Sequence, residues 1–96
     1  MTEKQIILDS IMPILNEFKP KKVILFGSYA SNKYTSNSDL DLYIEGAPTG
    51  IRFYGFIEKL RIAVDNKISI DITEPSDNLS NEVLINIKNG ETIYAG

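Results

Sequence analysis

Residues 39 to 44 read Asp-Leu-Asp-Leu-Tyr-Ile, and few stretches of a chain restrict its fold as strongly. Side chains on a β-strand alternate between two faces, so Leu40, Leu42 and Ile44 point one way and Asp39, Asp41 and Tyr43 the other. A slip of one residue would drive both acids into the core, so the chain must contain a sheet with an apolar layer under one face. A second alternation, Ile68, Ile70 and Ile72 against Ser69, Asp71 and Thr73, predicts another strand of the same kind with one acid on its polar face. Val23-Ile24-Leu25-Phe26 is apolar at every position, which suits a central strand covered on both faces and stopped by Gly27.

The cover comes from helices. Thr2-Glu3-Lys4-Gln5 has the form of a capping box, and Ile7, Ile11, Ile14, Leu15 and Phe18 follow at helical spacing. Pro13 lies inside this pattern and is expected to kink the helix, because it lacks an N–H and crowds the carbonyl of Asp9. Lys19-Pro20 ends it. After the turn Gly46-Ala47-Pro48-Thr49-Gly50, residues Phe53, Ile57, Leu60 and Val64 predict a second amphipathic helix. Pro75-Ser76-Asp77 suits the start of a third, with Leu79, Val83, Leu84 and Ile87 as its stripe and Lys88-Asn89-Gly90 as its end. Thr92 to Tyr94 forms a last short strand. The expectation is an α+β fold: one compact domain over residues 1–96, with a mixed β-sheet and helices packed against it.

Composition narrows the chemistry. The chain has no Cys and no His, which excludes disulfides and thiolate sites and removes the usual zinc ligand and general base. Any reaction must run on carboxylates, hydroxyls, Lys, Arg and a borrowed cofactor. A net charge of −3 argues against nucleic-acid backbone binding as the main activity. The start, MTEKQIILDS, does not resemble a secretory signal, and the longest strongly apolar run, Val23 to Phe26, is far too short for a bilayer. The protein is expected in the cytoplasm.

Asp39 and Asp41, two apart on a strand, put their carboxylates on one face with Cα atoms roughly 6–7 Å apart. Such a pair either faces water at a strand end or resolves its repulsion by holding a hard cation such as Mg²⁺. Gly27 lets the backbone turn sharply after the central strand, and Ser28, with Tyr29-Ala30-Ser31 starting a short helix, offers donors to an anion; the plainer alternative is an ordinary N-cap. Asp71 is a solvated strand acid unless its strand pairs beside the first, in which case it completes a three-acid cluster able to hold a second metal or act as base. Together these residues fit metal-assisted nucleotidyl transfer from a nucleoside triphosphate. Arg52, Lys59 and Arg61 read as a solvated helix face, Lys19, Lys21 and Lys22 as solubilising charge, and the tyrosines as half-buried packing residues.

Gly27-Ser28-Tyr29-Ala30, then Ser38-Asp39-Leu40-Asp41-Leu42 and a lone later Asp71, resembles the minimal nucleotidyltransferase (MNT) family of the DNA polymerase beta-like superfamily. The likeness extends to Lys22-Val23-Ile24-Leu25-Phe26 before the motif and to Ile85 to Tyr94 in the tail, which ends Asn89-Gly90-Glu91-Thr92-Ile93-Tyr94. It implies that Asp39, Asp41 and Asp71 are the catalytic and metal-binding carboxylates for Mg²⁺, two ions in all, and that Gly27 and Ser28 hold the triphosphate of ATP. It also implies a toxin–antitoxin pair in which the protein transfers AMP to a tyrosine of a HEPN-domain toxin. The alternative is a binding module that blocks the same partner by contact alone. One departure stands out: the family pattern has Gly two residues after the Ala, where this chain has Asn32. Asn tolerates left-handed backbone better than other non-glycine residues.

Overall fold

The computed structural model describes residues 2–96. Its elements are α1 (Glu3–Phe18), β1 (Lys22–Phe26), β2 (Leu40–Glu45), α2 (Ile51–Ala63), β3 (Ile70–Thr73), α3 (Asn81–Lys88) and β4 (Glu91–Ala95). The strands form one sheet in the order β3-β2-β1-β4. β1 pairs antiparallel with both β2 and β4, whereas β2 and β3 run parallel. A parallel neighbour needs a crossover, and α2 supplies it. The architecture is the mixed sheet with packed helices that the patterning predicts.

The two faces of the sheet are covered differently, and this positions the acids. Val23, Leu25, Leu40, Leu42 and Ile44 meet Ile7, Ile11 and Leu15 of α1 and Phe56 and Leu60 of α2 in the main core. Leu40, Leu42 and Ile44 are wholly buried, and each contributes about 1.5–3 kcal/mol by leaving water. That sum locks the register of β2 and keeps Asp41 on the opposite face. On that opposite face a smaller cluster forms from Ile24, Phe26 and Ile87 of α3, with Tyr43, Leu79 and Val83 packed against it.

Thr2 caps α1 as expected, its hydroxyl accepting from the Gln5 N–H at 3.2 Å. The helix runs uninterrupted through Pro13, whose ring lies on the exposed side, and closes at Lys19 in a left-handed conformation with φ 50°. Two expectations need correction. In α2 the core residue is Phe56, fully buried, while Phe53 is only half-buried; Phe56 is selected because its ring packs against Phe18 of α1 at 5.2 Å between centroids. α3 starts not at Pro75 but after Ser80, whose hydroxyl accepts from the Val83 N–H at 3.2 Å, and Pro75 to Asn78 form a turn that Ser76 closes onto the Asn78 N–H. Of the expected stripe on this helix Ile87 is buried, while Leu84 is 48% exposed.

Candidate active site

β1 ends at Phe26, and the backbone then turns through Gly27 at φ +76°. The short helix expected from Tyr29-Ala30-Ser31 is instead a closed turn. The Ser31 N–H donates to the Gly27 carbonyl at 3.2 Å and the Lys33 N–H to the Ser28 carbonyl at 3.0 Å. Asn32 adopts φ +61°, which stops the helical winding after a single turn. The position where the family pattern has Gly is therefore one that demands left-handed backbone, and Asn32 meets the demand. Its side-chain oxygen accepts from Lys4 Nζ at 3.4 Å, and Lys4 also pairs with Glu91 at 3.1 Å, tying the turn to α1 and β4.

Tyr29 anchors the turn. It is 1% exposed rather than half-buried and stacks on Tyr34 at 4.4 Å between centroids with the planes 11° apart. Burial raises its phenol above the usual tyrosine value, with Glu3 and Tyr34 adding to the effect. Among the described residues, the backbone N–H groups of Ser28, Tyr29 and Ala30 donate to no backbone carbonyl; Tyr29 is closed off by its burial, and the half-buried Ser28 and Ala30 are the two whose donors remain open. Ser28 itself is half-buried.

The acids lie directly beside this turn. Asp41 is opposite Phe26 on β1 and opposite Asp71 on β3, so the parallel pairing of β2 and β3 brings two carboxylates from distant parts of the chain into register. Gly27 is in contact with Asp41: a Cβ at Gly27 would collide with Oδ2 of Asp41 and stand 3.2 Å from its Cγ. Burial pushes the Asp41 carboxyl up to about 6, and the charges of Asp71 and Asp39 and a hydrogen bond with Asp71 push it the same way. Among the described residues no Lys or Arg pairs with any of the three acids. Repulsion is thus left uncompensated by protein, and an oxygen-only donor set of this kind suits a hard cation.

The geometry is less complete than the expected three-acid cluster. As placed, the described acids do not form a group of three that could hold one metal ion. Asp41 and Asp71 are in contact, but Asp39 precedes the first residue of β2, is exposed, and escapes the ladder that orients the other two. The ladder begins one residue later, where the Leu40 N–H bonds the Ser69 carbonyl at 2.8 Å.

Arg52 and Lys59 of α2 are engaged elsewhere. Lys59 pairs with Glu17 at 2.6 Å, and Lys59 and Arg52 lie over the Phe18 ring at 5.5 and 5.3 Å, all on the α1–α2 side of the sheet. Two residues to which the sequence reading gave no place at the site do face the turn. Asn86 and Asn89 of α3 and its cap line a cleft of about 310 Å³ together with Gly27, Ala30 and Ser31. Their three-residue spacing places them on one side of the helix, which is the signal that a helical projection carries.

The profile of the polymerase beta nucleotidyltransferase family matches residues 9–95. The chain belongs to that family. It is 40% identical over 48 residues to a candidate protein adenylyltransferase of Methanocaldococcus jannaschii, MJ0604, a match that spans 48% of each chain and so about half the length of that relative. The fold is that of a chain in the crystal structure of a toxin–antitoxin with AMP-PNP, with TM-score 0.67 and 23% identity over 93% of this chain and 73% of that one. It also matches a chain in a complex of tri-AMPylated Shewanella oneidensis HEPN toxin with MNT antitoxin, with TM-score 0.62 and 20% identity over 97% of this chain and 73% of that one. No described helix is long and apolar enough to cross a membrane.

Proposed function

We propose that the protein is an antitoxin of the MNT type that transfers AMP from ATP to a tyrosine hydroxyl of a HEPN toxin, with residues 1–96 acting as one domain in the cytoplasm. The observation that carries this reading is the register of Asp41 with Asp71 beside a glycine turn whose N–H donors are open. Support comes from family membership, from the adenylyltransferase name of the M. jannaschii relative, and from the AMPylated toxin in the Shewanella complex.

In this reading the turn from Gly27 to Ala30 holds the triphosphate through backbone N–H groups and the Ser28 hydroxyl, which costs little reorganisation because the turn is already closed. The acceptor oxygen attacks the α-phosphorus, the bond from that phosphorus to the bridging oxygen breaks, and pyrophosphate leaves. Asp71, exposed and in contact with Asp41, takes the proton of the attacking hydroxyl. Asp39, Asp41 and Asp71 would hold Mg²⁺, which when bound neutralises charge on the phosphate oxygens and lowers the pKa of the acceptor. Gly27 keeps the backbone close enough to Asp41 for phosphate and carboxylate to share one small space.

A second reading, neutralisation by contact alone, is favoured by the absence of a ready three-acid metal group among the described residues. Separately α- and γ-labelled ATP, supplied with Mg²⁺ to the protein and its HEPN partner, distinguish the two. Adenylyl transfer puts the α-label on the partner and leaves the γ-label in pyrophosphate. A stable complex with no α-label above that of Asp39→Asn/Asp41→Asn would leave contact as the mechanism.

A further inference from the structure

The cleft between the turn and α3 is lined by neutral residues alone. Its walls are Gly27, Ala30 and Ser31 on one side and Asn86 and Asn89 on the other. Asn86 and Asn89 lie close to Ile87, which is buried against Ile24 and Phe26 and so anchors this end of α3 on the sheet, while the two asparagines themselves are exposed. Gly90 tightens the same corner: a Cβ there would come within 2.5 Å of the Leu25 carbonyl oxygen and 2.7 Å of Ile24 Cγ2, so the end of α3 lies directly on β1. Neither Asn side chain has a hydrogen-bond partner among the described residues, although α3 is otherwise capped at both ends.

The lining decides what fits. No aromatic side chain borders the cleft, so a nucleobase would find no stacking surface there. No acid borders it either, and the donors at its walls are the Ala30 N–H, which no backbone carbonyl accepts, and the two side-chain amides of Asn86 and Asn89. Gly27 lies between this cleft and Asp41, so a ligand reaching from the acids across the turn enters the cleft next.

We infer that Asn86 and Asn89 form the far wall of a subsite for the β- and γ-phosphates, and that they hold the pyrophosphate leaving group as the α-phosphate reacts at the acids. The inference rests on the nucleotidyltransferase reading and adds to it two residues of α3 and the part of the substrate they take. Neutral donors suit this task. They bind the polyphosphate by geometry without the strong attraction of a lysine, and so release pyrophosphate readily after transfer.

Calorimetric binding of AMP-PNP and of AMP, both with Mg²⁺, tests the assignment in the wild type, in Asn86→Ala/Asn89→Ala and in the nearly isosteric Asn86→Asp/Asn89→Asp. Two lost hydrogen bonds should weaken AMP-PNP about tenfold, and two introduced anions about a hundredfold, while AMP stays within about twofold. Circular dichroism confirms folding, and Asn86→Asp alone, at an exposed position, serves if either double variant unfolds. Equal losses for AMP-PNP and AMP would place the nucleoside in the cleft, and unchanged AMP-PNP binding would remove both asparagines from the site; either result overturns the assignment. A wild type that binds AMP-PNP and transfers its label while the variants match it refutes only the role of α3. A wild type that binds no AMP-PNP refutes the function together with the subsite.

Discussion

Replacing Gly27 by Ala isolates the contact on which the site depends. The new Cβ meets two separate obstacles. The first is the backbone: at φ +76° an alanine is strained by about 1–2 kcal/mol wherever it sits in the left-handed region. The second is Asp41, whose Oδ2 the Cβ would strike and whose Cγ it would crowd at 3.2 Å. Relieving that collision requires the carboxylate to leave its rotamer well, at about 0.5–1.5 kcal/mol. Gly27→Ala should therefore destabilise the wild type by about 2–3 kcal/mol. In an Asp41→Ala background the Oδ2 and Cγ are gone and only Cβ remains, at an ordinary 3.5 Å, so the same substitution should cost only the backbone component. Urea unfolding of the four proteins, followed by circular dichroism, gives the coupling as a double-mutant cycle. A cost that is the same in both backgrounds would falsify the close approach of Gly27 to Asp41. Transfer activity should fall on the order of a hundredfold in Gly27→Ala, because the reacting groups are displaced.

Other consequences are simpler to test. The Asp41 carboxyl rises from 3.8 to about 6 on folding, so its contribution to stability is fully present below pH 3.8 and is lost as pH rises through about 6. Asp41 is partly exposed, and solvent screening limits the loss to about 1 kcal/mol. Asp41→Asn should accordingly stabilise the metal-free protein at pH 7 by about that amount and flatten its stability between pH 4 and 7; a steeper profile in the variant contradicts the sign. Asn32→Gly should change stability by less than about 1 kcal/mol, since glycine suits φ +61°, whereas Asn32→Val should lose about 1–2 kcal/mol in thermal or urea unfolding. Phe56→Ala should cost about 3–5 kcal/mol and Phe53→Ala far less, reversing the order that the helical pattern alone suggests.

Where one physical pressure dominates, the fold was legible in the sequence. The alternation of residues 39 to 44 has a single solution, because burying Leu40, Leu42 and Ile44 leaves the acids only the other face. Asp71 was legible as a strand acid, but its register with Asp41 depends on which strand β3 joins, and periodicity does not state partners. Phe53 and Phe56 are both apolar, and Phe18 on another helix makes the choice between them. Pro75-Ser76-Asp77 suits a helix start, but Ser76 is spent closing a turn onto the Asn78 N–H, and the helix begins where Ser80 caps it, a choice between two similar local signals that the pattern does not make. The turn after β1 closes without becoming a helix because Asn32 takes positive φ, a backbone fact with no periodic signature. Asn86 and Asn89 fall in the tail, where Asn89 reads as part of a helix end, and only the position of α3 over the turn brings the pair to the cleft.

Intact mass of the HEPN partner after incubation with this protein, ATP and Mg²⁺ measures the proposed reaction most directly. Adenylyl transfer predicts a mass gain of whole AMP units on tyrosine, abolished by a chelator and by Asp39→Asn/Asp41→Asn. A partner that forms the complex yet keeps its original mass, or that gains AMP equally with the double variant, contradicts it.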